Sequence, residues 1–168
     1  MPLTRNGSTL KPGVLTCTLG DASFDPTSVH TADGAATFTS IALAGDFYNG
    51  MRAGKNMVLT FEGSTVEGVI SATKAEHRVS TIDSSNFYEL GQVTNTVRPA
   101  VNNGVIVQLN RGSTWTVTGT SHLTRLTVAT DAALRAANGK AVTMTVDGTQ
   151  RAIEAGGDYS GAIVLTVG

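Results

Sequence analysis

The segment Thr114-Trp115-Thr116-Val117-Thr118-Gly119-Thr120 alternates polar and apolar residues up to its glycine. A period of two is the pleat of a β-strand, with threonine on one face and Trp115 and Val117 on the other. The same period predicts short strands over Thr37–Leu43, Met57–Phe61, Val66–Ser71, Val105–Leu109, Leu123–Val128, Val142–Val146 and Ala162–Val167, all rich in β-branched residues. The pairs Asn6-Gly7, Asp33-Gly34, Asn49-Gly50, Asn103-Gly104, Asn138-Gly139 and Asp147-Gly148 supply the positive φ that tight turns need. These features predict an all-β chain of short strands and sharp corners.

Composition narrows the function classes. Threonine (25) and glycine (19) dominate the 168 residues, and only 15% are charged, against roughly 25% in an average globular chain. A net charge of −1 removes the electrostatic case for binding nucleic acid or an anionic membrane, since both need a strongly basic surface. No apolar stretch has the roughly 20 residues of a membrane span, so no membrane insertion is expected. Cys17, the single cysteine, has no internal partner and is read as a small core residue on a strand. Met1-Pro2-Leu3-Thr4-Arg5 lacks the apolar centre of a signal peptide. The Thr/Gly-rich, Lys-poor composition favours an exported segment from which the signal has been removed.

Short strands with sharp corners fit a β-sandwich or a parallel solenoid. An internal echo favours the solenoid: Val58-Leu59-Thr60-Phe61-Glu62-Gly63-Ser64-Thr65-Val66 reads like Ile106-Val107-Gln108-Leu109-Asn110-Arg111-Gly112-Ser113-Thr114-Trp115. Equivalent Gly-Ser-Thr triplets 49 positions apart suggest two intervening coils of about 22 to 25 residues. About seven such coils would make a rod of roughly 35 Å at strand spacing. A single domain over 1–168 is expected, with 1–36 as an amino-terminal cap or first coil and 147–168 as a closing segment. Thr130–Gly139 has helix formers and a glycine stop, yet the surrounding repeat favours another coil.

Residues Gly112 to Leu126, with Ser113, Trp115, Val117-Thr118-Gly119, Ser121, Leu123 and Leu126, resemble the S-x-W-x-V-T-G-x-S-x-L-x-x-L coil of secreted bacterial right-handed parallel β-helix proteins. Such coils recur in adhesin-like and autotransporter passenger-like regions. Phe61 to Ala72 is similar to their preceding coils, and Val146-Asp147-Gly148 with Ala155 to Leu165 to their closing segment. The resemblance spans roughly residues 57 to 168. It implies a right-handed β-helix displayed outside the cell or on its surface, and carries no catalytic motif.

Chemistry-bearing groups are few. Glu62 and Glu67 lie five apart across a turn, and His77 sits in Glu76-His77-Arg78. Together they define the alternative reading, a carbohydrate-active β-helix enzyme of lyase or glycosidase type. The simpler reading makes Glu62 a corner, Glu67 a solvated strand residue and the triplet a solvated loop. The Asn-x-Asp, Asp-Asp and Gly-His-Gly motifs of polysaccharide-cleaving β-helices are absent from the sequence. His30 and His122 are isolated and expected on exposed strands, so no transition metal is predicted. Asp21, Asp25, Asp33 and Asp46 are explained by turns as well as by calcium, and no cofactor is expected.

Thr114, Thr116, Thr118 and Thr120 could form a flat array for ice or a crystalline polysaccharide, but threonine is also an ordinary solvent-side strand former. Among the nine aromatics, Tyr48 and Tyr88 are the ligand-binding candidates, with Phe47 and Phe87 expected in the core. The sequence thus leads to a non-catalytic structural or adhesive module. Its expected partners are a glycan or other cell-surface component, with end-to-end self-association of the rod as a further expectation.

Overall fold

In a computed structural model, the described residues are 17–18, 33–50, 55–101 and 104–168. The strands are β1 Cys17–Thr18, β2 Gly34–Thr39, β3 Ala42–Ala44, β4 Phe47–Asn49, β5 Met57–Glu62, β6 Thr65–Gly68, β7 Ile70–His77, β8 Val93–Val97, β9 Val105–Asn110, β10 Thr114–Val117, β11 Ser121–Val128, β12 Ala133–Ala136, β13 Val142–Val146, β14 Thr149–Arg151 and β15 Asp158–Val167. No α-helix occurs among the described residues; Phe87–Gly91 and Ala137–Gly139 are 3-10 turns. The protein is all-β, with several parallel and mixed sheets that do not close into a barrel.

Three sheets carry the described residues, ordered β1-β4-β7-β8, β12-β10-β6-β3 and β14-β13-β15-β11-β9-β5-β2. From β2 to β7 the chain visits them in turn. It returns to each after 23 residues, with Gly34 beside Met57, Ala42 beside Thr65 and Phe47 beside Ile70, all parallel. Side chains therefore stack on equivalents one strand away. Phe38, Phe61, Leu109 and Val128 form one buried column, and Leu43, Val66 and Trp115 another, topped by the partly buried Leu134. Phe38 stacks on Phe61 at 5.3 Å, and Phe47 meets both rings edge-on.

The corners explain two strands that the sequence merges. Thr37–Leu43 is divided at Ser40, whose φ is 52°. Val66–Ser71 is divided at Val69. There the alternation runs unbroken through the bend, as Val66, Gly68 and Ile70 all point inward, so periodicity alone cannot reveal it. Corners equivalent to Ser40 use Gly63 (φ 57°) and Arg111-Gly112 (φ 50° and 71°). Asp33-Gly34 and Asn49-Gly50 instead lie at strand ends without positive φ. Asn138-Gly139 and Asp147-Gly148 do adopt the expected left-handed turn conformations.

One inward position beside these corners is polar. Ser64 Oγ accepts from the Ile41 N–H (3.1 Å) and donates to Phe38 O (3.0 Å). Ser113 Oγ accepts from the Ser64 N–H (3.2 Å) and donates to Asn110 O. Both serines are buried, so each satisfies backbone groups that the bend removes from the ladder.

The Gly-Ser-Thr echo is real, but its spacing has a different cause. Thr65 pairs directly with Thr114, and Val66 with Trp115, so the two copies are adjacent rungs. The extra length leaves the stack: the second half of β7 pairs antiparallel with β8, from Thr73 with Val97 to His77 with Val93. The chain then rejoins at β9, parallel to β5. The next return takes 19 residues, Ile106 to Arg125 and Thr114 to Ala133. Thr130–Gly139 accordingly contributes the strand β12, not a helix.

Among the described residues the parallel stack is four strands deep on two faces, short of the seven coils expected. It spans roughly 14 Å between its outermost rungs, because residues 74–97 form a ribbon and β13, β14 and β15 an antiparallel meander against β11. β2 begins at Gly34, inside the stretch expected as a cap, most of which lies outside the described residues. Cys17 lies on a strand as expected.

Candidate recognition surface

The β7–β8 ribbon is the largest departure from the stacked architecture, and its base is firmly seated. Thr73 Oγ1 donates to Asn95 Oδ1 across the ribbon at 2.8 Å. Gly50 lies beneath it, where a Cβ would come within 2.5 Å of the Ala75 Cβ. Lys74 and Glu76 pair at 2.6 Å on the solvent side. Glu76 and His77 therefore belong to a strand, not to the solvated loop that the sequence suggests.

The tip is built from polar pins. Asp83 Oδ1 accepts from the Ser85 N–H and hydroxyl (2.8 and 2.6 Å), and these bonds hold its carboxyl below the ordinary 3.8. Asn86 closes the turn, accepting from the Asp83 N–H at 2.7 Å and donating to Thr81 O at 3.1 Å. The 3-10 turn follows, with the Glu89 N–H on Asn86 O and the Gln92 N–H on Glu89 O, both at 2.9 Å.

Glu89 is the anchor. Its side chain is only 2% exposed, and Arg78 grips both carboxylate oxygens, Nε to Oε2 at 3.1 Å and Nη2 to Oε1. The bidentate geometry and the guanidinium charge hold Glu89 below its usual 4.5 and raise Arg78. His77 Nδ1 stands 3.2 Å from Glu89 O. With Glu89 turned in, its neighbours turn out: Phe87 is 66% and Tyr88 60% exposed, their rings packed edge-on at 6.4 Å. Leu90 extends this apolar tip. Phe87 is thus not a core residue; the 3-10 turn that buries Glu89 directs it to solvent.

The two candidate tyrosines have different roles. Tyr48, on β4, is half-buried and donates its hydroxyl to Asp46 Oδ2 at 2.8 Å, while Asp46 Oδ1 accepts from the Val69 N–H at 2.8 Å. Burial, then the Asp46 hydrogen bond, push the Tyr48 phenol up to about 12. Asp46 ties adjacent rungs with Tyr48 bracing its carboxylate, whereas Tyr88 is open to solvent. Phe47, beside Tyr48, is in the core as expected.

The acidic candidates do not share an element. Glu62 ends β5 with Arg111 at 3.9 Å, Glu67 is exposed mid-β6 between Ala44 and Thr116, and His77 stands at the foot of the tip. These are three different sheets. Two cavities, of about 560 and 250 Å³, are lined by other residues. His122 lines the smaller one with Pro99, Ala100, Leu123 and Ile163. Half-buried instead of exposed, it is held below 6.5 by desolvation.

Asp33 caps the next rung, accepting from Asn56 N and Nδ2 at 3.0 and 2.9 Å. Asp21, Asp25 and His30 lie outside the described residues. Among the described residues, outer threonines align only in pairs, Thr37 with Thr60, Thr65 with Thr114 and Thr143 with Thr166; Gln108 and Ala133 follow in the first two columns. Compared with protein-family models, curated proteins and solved structures, the chain has no significant match.

Proposed function

We propose that the chain is a right-handed parallel β-helix module of the cell surface or extracellular space, which contacts a glycan or other surface component without catalysis. The cyclic visits to three sheets and the in-register columns support the β-helix. Right-handed crossovers are the rule for parallel connections. The address outside the cell rests on the resemblance of residues 57 to 168 and on the low-charge composition.

The observation that carries the binding function is the ribbon tip: Phe87 and Tyr88 are held in solvent by a segment whose own carboxylate is buried and clamped. Exposed aromatics on a pinned turn give large contact area with little ordering cost, and ring faces suit sugar C–H surfaces. The test is a glycan array probed with the wild-type chain and with Phe87→Ala/Tyr88→Ala. The reading expects a defined set of glycans bound by the wild type and lost in the double variant, with unchanged circular dichroism. Retained binding by the variant, or cleavage of a polysaccharide that depends on Glu62 or Glu67, would overturn it.

A further inference from the structure

The last parallel rung ends in an open edge. Among the described residues β12 pairs with β10 on one side only and is the terminal strand of its sheet. The Ala133 N–H donates to Ser113 O at 2.9 Å. By strand alternation, Leu134 and Ala136 turn their N–H and C=O groups the other way. There lies the cavity of about 560 Å³, bounded by β12, by the β13–β14 hairpin and by residues 152–155. This wall is preformed: the Tyr159 hydroxyl donates to Ala152 O (3.0 Å) and accepts from the Glu154 N–H (2.8 Å).

The lining states what would fit. Partly buried Leu134 and Ile153, with the nearly covered Val128 and Met144 behind them, give the apolar part of the floor, and Leu134 tops the column that contains Trp115. Arg135, Lys140 and Arg151 face one carboxylate, Glu154, and none of the three cations is in an ion pair among the described residues. Among the described residues no aromatic ring lines the cavity, so a sugar would find no stacking platform there. A strand laid on β12 would place alternate side chains over Leu134 and the others beside exposed Arg135.

We propose that this edge binds an extended peptide strand in which apolar and acidic residues alternate, by β-augmentation of β12. Main-chain hydrogen bonds to Leu134 and Ala136 supply affinity. The apolar floor and the cationic rim set register and sign.

The test uses the full chain and a fluorescein-labelled peptide of alternating glutamate and valine, about six residues long so as to cover four-residue β12. Anisotropy should report saturable binding that weakens with salt. Methylating alternate backbone nitrogens, or replacing glutamate with lysine, should abolish it. Lys140→Glu/Arg151→Glu, both on exposed positions, should weaken it by about tenfold or more, with thermal unfolding unchanged; Glu154→Gln should tighten it. Absence of binding, indifference to backbone methylation or to the double charge reversal, or tighter binding of oligogalacturonate would overturn the proposal. So would self-association of the free chain that Lys140→Glu/Arg151→Glu abolishes, because β12 would then pair with a second copy.

Discussion

Trp115 shows how one side chain serves two purposes in a stacked β protein. It fills an inward column between Val66 and Leu134, fully buried, and its indole N–H reaches the Gly68 carbonyl at 3.0 Å. Trp115→Phe retains most of the apolar volume but strands that carbonyl, at a cost of about 1–3 kcal/mol. Urea denaturation followed by far-ultraviolet circular dichroism should show the lower midpoint. Gly68 is constrained further, since a Cβ would overlap the Gly45 carbonyl oxygen at a φ of 156°. Tyr48 is testable by alkaline titration at the phenolate absorbance. One tyrosine should ionise near 12, well above the ordinary 10.0, and Tyr48→Phe should remove that step. Because folding raises this pKa, its stabilising contribution is present below pH 10 and lost as pH rises through about 12.

At the scale of elements, the ribbon tip depends on the ionised state of Glu89. Folding depresses that pKa, so the clamp's contribution is complete above about 4.5 and lost as pH falls through the lower folded value. Amide protection factors at Phe87–Gly91, corrected for the intrinsic pH dependence of exchange, should fall in acid before those of the β5–β9 stack. Glu89→Gln should produce the same local loosening at neutral pH.

This ribbon is also where the sequence was least legible. Val93–Val97 is Val-Thr-Asn-Thr-Val with half-exposed valines, so it lacks the wholly buried face that marks β5 and β9. Glu89 and Arg78, eleven residues apart, have no spacing that announces a pair. Strands with one fully buried face were legible, as β5 and β9 show, because alternation and burial coincide there. Tyr88 was accessible to sequence reasoning as an aromatic in a polar setting. The acidic groups were misleading because a corner turns neighbours in sequence onto separate faces.

At the scale of the molecule, stability rests on covering the open edges of a short stack. On its carboxy-terminal side, β15 seals the exposed side of β11 by antiparallel pairing from Ser121 with Leu165 to Thr127 with Asp158. Arg125 and Asp158 reinforce the seam at 2.8 Å. Truncation after residue 141 should leave that edge free and produce concentration-dependent aggregation by size-exclusion chromatography. Arg125→Ala should cost little, since the pair is solvent-exposed.

Thr65 and Thr114 lie side by side on paired strands, with the Thr114 N–H on Ser64 O, although 49 residues separate the two threonines along the chain. The scaffold therefore closes across the ribbon's insertion point without reference to what the ribbon contains. Such a joint is a socket: its contents can lengthen, shorten or change specificity while the rungs on either side keep their register. Variation among descendants of this chain should concentrate between Lys74 and Val97, and an engineer wishing to graft a foreign binding loop would open the chain there.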